Sequence, residues 1–350
     1  MSRTLKTGVA YHGNRMPSHA KEDMREIAKA DMDIVVHMLS HIDWRRHKAV
    51  MKDIFAITED QGLEVWVDNW GIGGAPGDTS HFLCAHPEAH MYYNTGEMNP
   101  YIVCLNSPAY RQFVKDWVYA AVEIGGKTVF WDEPHIPTKR TDNGRIFCCC
   151  CPTCRKMFEE RYGHPMPEIE ITPEMAEFRE DTIADFFREI TEYSASLGVR
   201  NTSCIMPGPH HGIGIDSFWK LGNLPNMDGL GYDPYWYSKK DLESVYGYTY
   251  QETKRALEIC EKYNKELNFW VQGYDAPVGR EEEIIEATEA AYDAGARCIL
   301  SWSFHAGESN DYRSANPLRS WSATVEGMRR IREMERDRLL AENRAKYIKS

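Results

Sequence analysis

The chain has 350 residues, 42% of them hydrophobic, and its 53 acidic against 41 basic side chains leave a formal charge of −12. With no basic stripe, that charge argues against nucleic-acid or acidic-membrane partners, and no run of about 18 apolar residues is present to span a bilayer. The polar start Met1–Thr7 lacks the apolar run of a signal peptide, and five of the ten cysteines fall within Cys148–Cys154, so reduced thiols in a cytoplasmic protein are expected instead of a secreted disulfide framework.

Along the chain a short apolar or β-branched run, a polar loop and an amphipathic helix recur. Strands are expected at Thr7–His12, Asp33–Ser40, Glu64–Asn69, Lys127–Glu133, Asn201–Met206, Met227–Tyr232, Leu267–Gln272 and Ala296–Trp302. Helices are expected at Ser18–Ala30, Trp44–Gln61, Pro108–Ile124, Pro152–Tyr162, Pro173–Leu197, Ile215–Leu221, Tyr248–Tyr263, Arg280–Ala294 and from Pro317 onward. Ser18 reads as an N-cap, Pro108 as a first-turn proline, and Gly125, Gly198 and Gly295 as terminators. Eight alternations predict an α/β fold, a (β/α)8 TIM barrel. The alternative, a doubly wound sheet, lacks a Gly-rich phosphate loop after its first strand. The expected organisation is one barrel over 1–350, with a Cys-rich insertion near 140–165 and a charged C-terminal helix reaching past it.

In a parallel barrel the carboxyl ends of the strands converge on one pocket. Those ends supply His12; Asp68, Asn69 and Trp70; Asp132 and Glu133; His210 and His211; Tyr232, Asp233 and Trp236; Gln272, Tyr274 and Asp275; Trp302 and His305. Indole faces beside hydrogen-bonding groups suit pyranose rings, so a carbohydrate substrate is expected, with Trp70, Trp236 and Trp302 as pocket residues. In Val129-Phe130-Trp131-Asp132-Glu133-Pro134-His135, two adjacent acids close an apolar run and are costly to bury without a role. Strict alternation points them to opposite sides; a bend at the strand end brings both into the pocket, where like-charge repulsion raises one pKa as a general acid requires. The alternative is pairing with Lys127, Lys139 or Arg140. The segment Gly71–Pro100 reads as a long functional loop.

Cys149, Cys151 and Cys154 form C-x-C-x-x-C before a basic-aromatic helix; three thiolates at that spacing can wrap one ion, and zinc takes four ligands in a tetrahedron. Cys104 is a better fourth candidate than Cys148 or Cys150. The run Cys104-Leu105-Asn106-Ser107-Pro108-Ala109-Tyr110-Arg111, the acid pair Asp132–Glu133 and the C-x-C-x-x-C motif, in that order, resemble the family-42 glycoside hydrolases, zinc-containing β-galactosidases of clan A. The resemblance is specific from about Pro100 to Gly163. It implies a glycoside hydrolase with Glu133 as acid/base, a structural zinc on Cys104, Cys149, Cys151 and Cys154, and an oligomeric assembly.

Family members carry Asn where this chain has Asp132, and a nucleophilic Glu at the end of the seventh strand, which here reads Phe269-Trp270-Val271-Gln272-Gly273-Tyr274-Asp275. The second carboxylate therefore stays open between Asp233 and Asp275, and a further division makes Asp132 the nucleophile with Asp233 as acid. Gln272 reads as a hydrogen-bonding partner of a sugar hydroxyl. The other function classes are a carbohydrate-binding barrel without hydrolysis and a metal-dependent sugar isomerase or lyase using His12, Asp68, His210 and His211.

Overall fold

The computed structural model describes residues 4–13, 15–69, 80–133, 136–141, 144–208 and 212–348. In chain order these form β1 (Lys6–Tyr11), α1 (Pro17–Lys29), β2 (Ile34–Met38), α2 (His41–Arg46), α3 (Lys48–Asp60), β3 (Glu64–Asp68), α4 (Ser80–Ala85), β4 (His90–Tyr92) and β5 (Met98–Val103). Then come α5 (Pro108–Glu123), β6 (Thr128–Trp131), β7 (Thr138–Thr141), β8 (Gly144–Phe147), α6 (Pro152–Tyr162), α7 (Pro173–Ser196) and β9 (Arg200–Ile205). The last part holds α8 (Trp219–Gly222), β10 (Gly229–Tyr232), α9 (Val245–Lys262), β11 (Glu266–Gln272), α10 (Glu283–Ala294), β12 (Cys298–Trp302) and α11 (Pro317–Ile348).

Eight strands, in the order β1-β12-β11-β10-β9-β6-β3-β2, pair in parallel and close into a barrel. This is the (β/α)8 barrel that the alternation predicts, and each expected strand is one of its staves. Alternation along each strand sorts side chains into two cores. Ala10, Val36, Trp66, Phe130, Cys204, Trp270 and Leu300 fill the interior, while Val9, Tyr11, Val35, Val67, Val129 and Trp131 pack outward beneath the helices. Glycine makes room where large interior residues meet. A Cβ on Gly8 would lie 2.5 Å from the Ile34 carbonyl oxygen, and one on Gly231 would lie 2.4 Å from that of Ser203.

Three helix expectations change. The first helix begins at Pro17 with Met16 at the N-cap and no side-chain cap, because a proline ring preset at the first turn starts the helix one residue before Ser18. The predicted helix Trp44–Gln61 is two helices. Ser40 caps the first in a reciprocal box with Asp43, and His47, at φ −123°, separates it from the second. The region expected as Ile215–Leu221 is a 3-10 turn, Ile215–Ser217, followed by α8. Gly125, Gly198 and Gly295 end their helices at φ 111°, 80° and 116°, a region that favours glycine.

Two antiparallel ribbons outside the barrel, β4–β5 and β7–β8, were not expected. The first lies in the segment read as a long loop. Its turn glycine, Gly96 at φ 85° between Tyr92-Tyr93 and Tyr101-Ile102-Val103, is the signal that would have found it. No helix among the described residues is long and apolar enough to cross a membrane.

Candidate active site

At the carboxyl end of the barrel a cavity of about 200 Å³ is lined by Asp68, Phe130, Asp132, Glu133, Cys204, Met206, Asp233, Tyr235, Trp270, Tyr274, Trp302 and Tyr312. Asp68 ends β3; Asp132 and Asp233 share the inward parity of Phe130 and Gly231. Glu133 is the residue that parity sends the wrong way. It sits at φ +31°, beyond the last residue of β6, and that left-handed conformation turns its carboxyl into the same cavity as Asp132. A β-carbon makes this region costly, so the surrounding structure holds Glu133 there against local preference.

The carboxyl groups of Glu133 and Asp233 hydrogen-bond to each other across the cavity, from strands separated by β9. Burial pushes the Asp233 carboxyl far above the usual carboxylate range, and the charge and hydrogen bond of Glu133 push it further. Burial likewise raises Glu133, with the bond to Asp233 pulling partly back, so Asp233 is the favoured holder of the shared proton. Asp132 is driven well up by burial, then by the charges of Asp68 and Glu133. The folded protein therefore binds protons here more tightly than the unfolded chain does. Their stabilising effect is complete below the unfolded value near 4 and is lost as pH rises towards the folded ones. Asp233→Asn, which cannot ionise, is expected to gain stability relative to the parent as pH is raised from about 4 to 8; parallel melting curves of the two proteins would contradict this.

The aromatic wall is mutually buttressed. Tyr274 meets Trp302 edge-on at 4.5 Å and Tyr235 at 5.1 Å, and His12 meets Trp302 at 4.8 Å. Tyr312 is half exposed, 6.0 Å from Trp302. Two buried polar atoms of cavity residues lack hydrogen-bond partners among the described residues, Asp233 Oδ1 and the Trp270 indole nitrogen. An acceptor and a donor left so are what a hydroxyl-rich ligand would satisfy. Asn69 Oδ1 is likewise buried, with no hydrogen-bond partner among the described residues. Burial holds the His12 imidazole down to about 4, so it is neutral near pH 7. Tyr274 is where the strand-end reading puts it, whereas Trp270, Tyr235 and Tyr312 went unnamed as site residues. For Trp270 the parity of β11 was the available signal, since it lies two residues before Gln272.

Several predicted site residues lie elsewhere. Tyr232 has outward parity: its hydroxyl bonds Glu252 of α9. Trp236 is buried outside the cavity, with its indole N–H donating to Glu283 at 2.9 Å. Gln272 cannot offer its oxygen to a sugar, because Oε1 already accepts the backbone N–H groups of Trp236 at 2.8 Å and Tyr237 at 3.0 Å. It braces the loop carrying Asp233 and Tyr235. Asp275 is exposed at φ +53°, outside the cavity, its N–H donating to Tyr312. His305 is a surface link, its Nε2 3.0 Å from Glu26 of α1. Trp70, His210 and His211 lie outside the described residues.

The Sγ atoms of Cys104, Cys149, Cys151 and Cys154 all lie within 4.8 Å of one another, and all four residues are buried. Cys104 is 3.5 Å from Cys154 and 3.7 Å from Cys151. Bonds of about 2.3 Å to a central zinc imply tetrahedral edges near 3.8 Å, so the quartet fits such an ion. Its surroundings fit thiolates too: Cys154 Sγ accepts from Asn106 Nδ2 at 3.4 Å, and Cys151 Sγ from the Cys154 N–H at 3.4 Å. Cys148 and Cys150 lie outside the quartet, and the Cys150 thiol faces the Phe147 carbonyl instead. Among the described residues this is the one cluster close enough to hold a metal. It ties the end of β5 to the segment after β8 and the start of α6.

No protein-family model matches the sequence, and no curated protein matches it either. Solved structures match by fold. A β-galactosidase from the haloarchaeon Halorubrum lacusprofundi superposes at TM-score 0.68 with 15% identity, over 93% of this chain and 58% of that one. A family-42 β-galactosidase, Gan42B of G. stearothermophilus, gives 0.66 and 14%, over 95% and 57%. The catalytic domain of β-amylase from Paenibacillus polymyxa gives 0.64 and 10%, over 92% and 97%. The chain thus shares the (β/α)8 barrel fold with these proteins, and it spans under three fifths of the length of the two β-galactosidases.

Proposed function

We propose that this barrel is a glycoside hydrolase in which Glu133 and Asp233 are the two carboxyl groups flanking the scissile bond. The observation that carries the reading is their shared hydrogen bond inside an aromatic-walled cavity at the barrel's carboxyl end. Carboxyls from two strands face a bound sugar from two sides. Side chains that touch before substrate enters suit the short gap of retaining enzymes, about 5–5.5 Å, better than the wider gap that admits a water. With a sugar bound, the shared proton passes from Asp233 to Glu133, which gives it to the leaving oxygen while the ionised Asp233 attacks the anomeric carbon. Glu133 then takes a proton from the water that releases the sugar. The charge of Asp68 keeps the local field negative, which holds protons on the neighbouring acids and favours the cationic transition state. Trp302 and Trp270 offer faces for the ring. Cys104, Cys149, Cys151 and Cys154 hold a structural zinc, which implies a reducing, cytoplasmic setting. Zinc supplies rigidity there and takes no part in the chemistry.

One observation favours a second division of labour. The hydrogen bond leaves the proton on Asp233, which makes Asp233 the acid; Asp132, which lines the same cavity, is then the nucleophile and must lose its own proton before it attacks. A panel of nitrophenyl glycosides of both anomers tests the class, with nuclear magnetic resonance of the first-formed anomer as readout. Turnover of at least one glycoside with retained configuration is expected. Saccharide binding with no turnover of any glycoside would replace the reading with a binding barrel, and activity lost to chelation and restored by Mn²⁺ would replace it with a metal-dependent isomerase or lyase.

A further inference from the structure

A second cavity, of about 780 Å³, lies beside the β7–β8 ribbon. Arg140 and Arg145 of the ribbon and Arg179 of α7 line it, and Glu170 is the one carboxylate among its described lining residues. Arg179 is 2% exposed and donates to the Ile136 carbonyl at 2.5 Å, three residues beyond Glu133. Arg140 and Arg145 have no ion-pair partner among the described residues, whereas the nearby Arg155 and Arg161 pair with Glu168 and Asp181. In a chain of net charge −12, cations facing an open cavity while their neighbours are neutralised mark a place built for an anion.

The cavity sits on the same end of the barrel as the acid pair. The ribbon follows the carboxyl end of β6, and Gly212, which also lines the cavity, follows that of β9, the neighbouring stave. We propose that it is a subsite for the carboxylate of an acidic saccharide, gripped by Arg140, Arg145 and Arg179. The proposal rests on the glycosidase reading and names its substrate class. Planar guanidinium groups match a carboxylate in two-point contact, and the volume is that of a pocket for a sugar-sized ligand. The charge layout sets the register. The charge of Asp68 and the one left on the Glu133–Asp233 pair would repel a uronate from the reacting position, so the acidic unit lies along the chain from the bond being cut.

Calorimetry on Glu133→Gln protein, which binds without turnover, tests this with tri-galacturonic acid, neutral galactotriose and inorganic sulfate. Tri-galacturonic acid is expected to bind at least about tenfold more tightly than galactotriose, and high salt should weaken it. Adding Arg140→Gln and Arg145→Gln, both on the outer ribbon, should cost it about tenfold and leave galactotriose unchanged. Equal affinity for the acidic and neutral sugars, indifference to the two substitutions, or sulfate binding as well as the saccharide would each overturn the proposal. If neutral glycosides are hydrolysed and calorimetry gives any of those results, the subsite falls and the hydrolase stands. If the acidic sugar binds as expected and no glycoside is cleaved, the hydrolase falls and the subsite stands.

Discussion

Glu133→Gln is expected to lower kcat by about a thousandfold with little change in KM, and Asp233→Asn by a comparable factor. Both groups act only once the glycosidic bond begins to break, so removing either costs transition-state stabilisation and leaves binding largely intact. Neither variant should be less stable than the parent. Burial disfavours ionisation at both positions, so the folded state holds these carboxyls at a cost that an amide, which cannot ionise, relieves in part; the left-handed backbone at Glu133 is the same for glutamine. Rescue with azide separates their roles. A variant lacking the acid/base accumulates a glycosyl-enzyme that azide captures with net retention, whereas a variant lacking the nucleophile lets azide attack directly, with inversion. Retention from Glu133→Gln and inversion from Asp233→Asn support the first assignment, while inversion from Asp132→Asn supports the second. Parent-like kcat in both Glu133→Gln and Asp233→Asn would sink the two-carboxylate mechanism.

Cys104→Ser and Cys154→Ser are expected to lose a zinc that the parent binds at about one per chain, and to melt well below it. Structural zinc contributes about 10–16 kcal/mol of apparent binding free energy in small peptides, and part of that appears as folding stability here because the ligands come from separate segments. Cys104 follows β5, while Cys149, Cys151 and Cys154 lie after β8 and at the start of α6. Losing the ion frees both ribbons outside the barrel, and the second of these leads directly from Glu133. Activity should therefore fall with stability. Cys148→Ser and Cys150→Ser serve as controls, since their thiols lie outside the quartet and zinc content should be unchanged. Elemental analysis and thermal melts check the set. Metal-free parent protein with an unaltered melting temperature would refute the structural role.

The amino-acid order by itself determined the eight staves, their parallel closure and the convergence of Asp68, Asp132, Asp233 and Trp302, because each depends on local periodicity and on the parity of a strand end. The cysteine quartet was legible for a similar reason: C-x-C-x-x-C is a short-range geometry, and Cys104 stands in a recognisable run. Tertiary structure alone decided the rest. Tyr232 and Trp236 lie one and five residues from the inward-facing Gly231, yet contacts with Glu252 and Glu283 of the surrounding helices take them out of the cavity. Gln272 has the right parity and the wrong neighbours, since two backbone N–H groups from the preceding strand's loop occupy its oxygen. Glu133 reaches the cavity through a left-handed backbone that its own residue type disfavours, and its partner Asp233 comes from a strand about a hundred residues further on. Which acids face each other is settled by contacts across the barrel, and no local pattern encodes them.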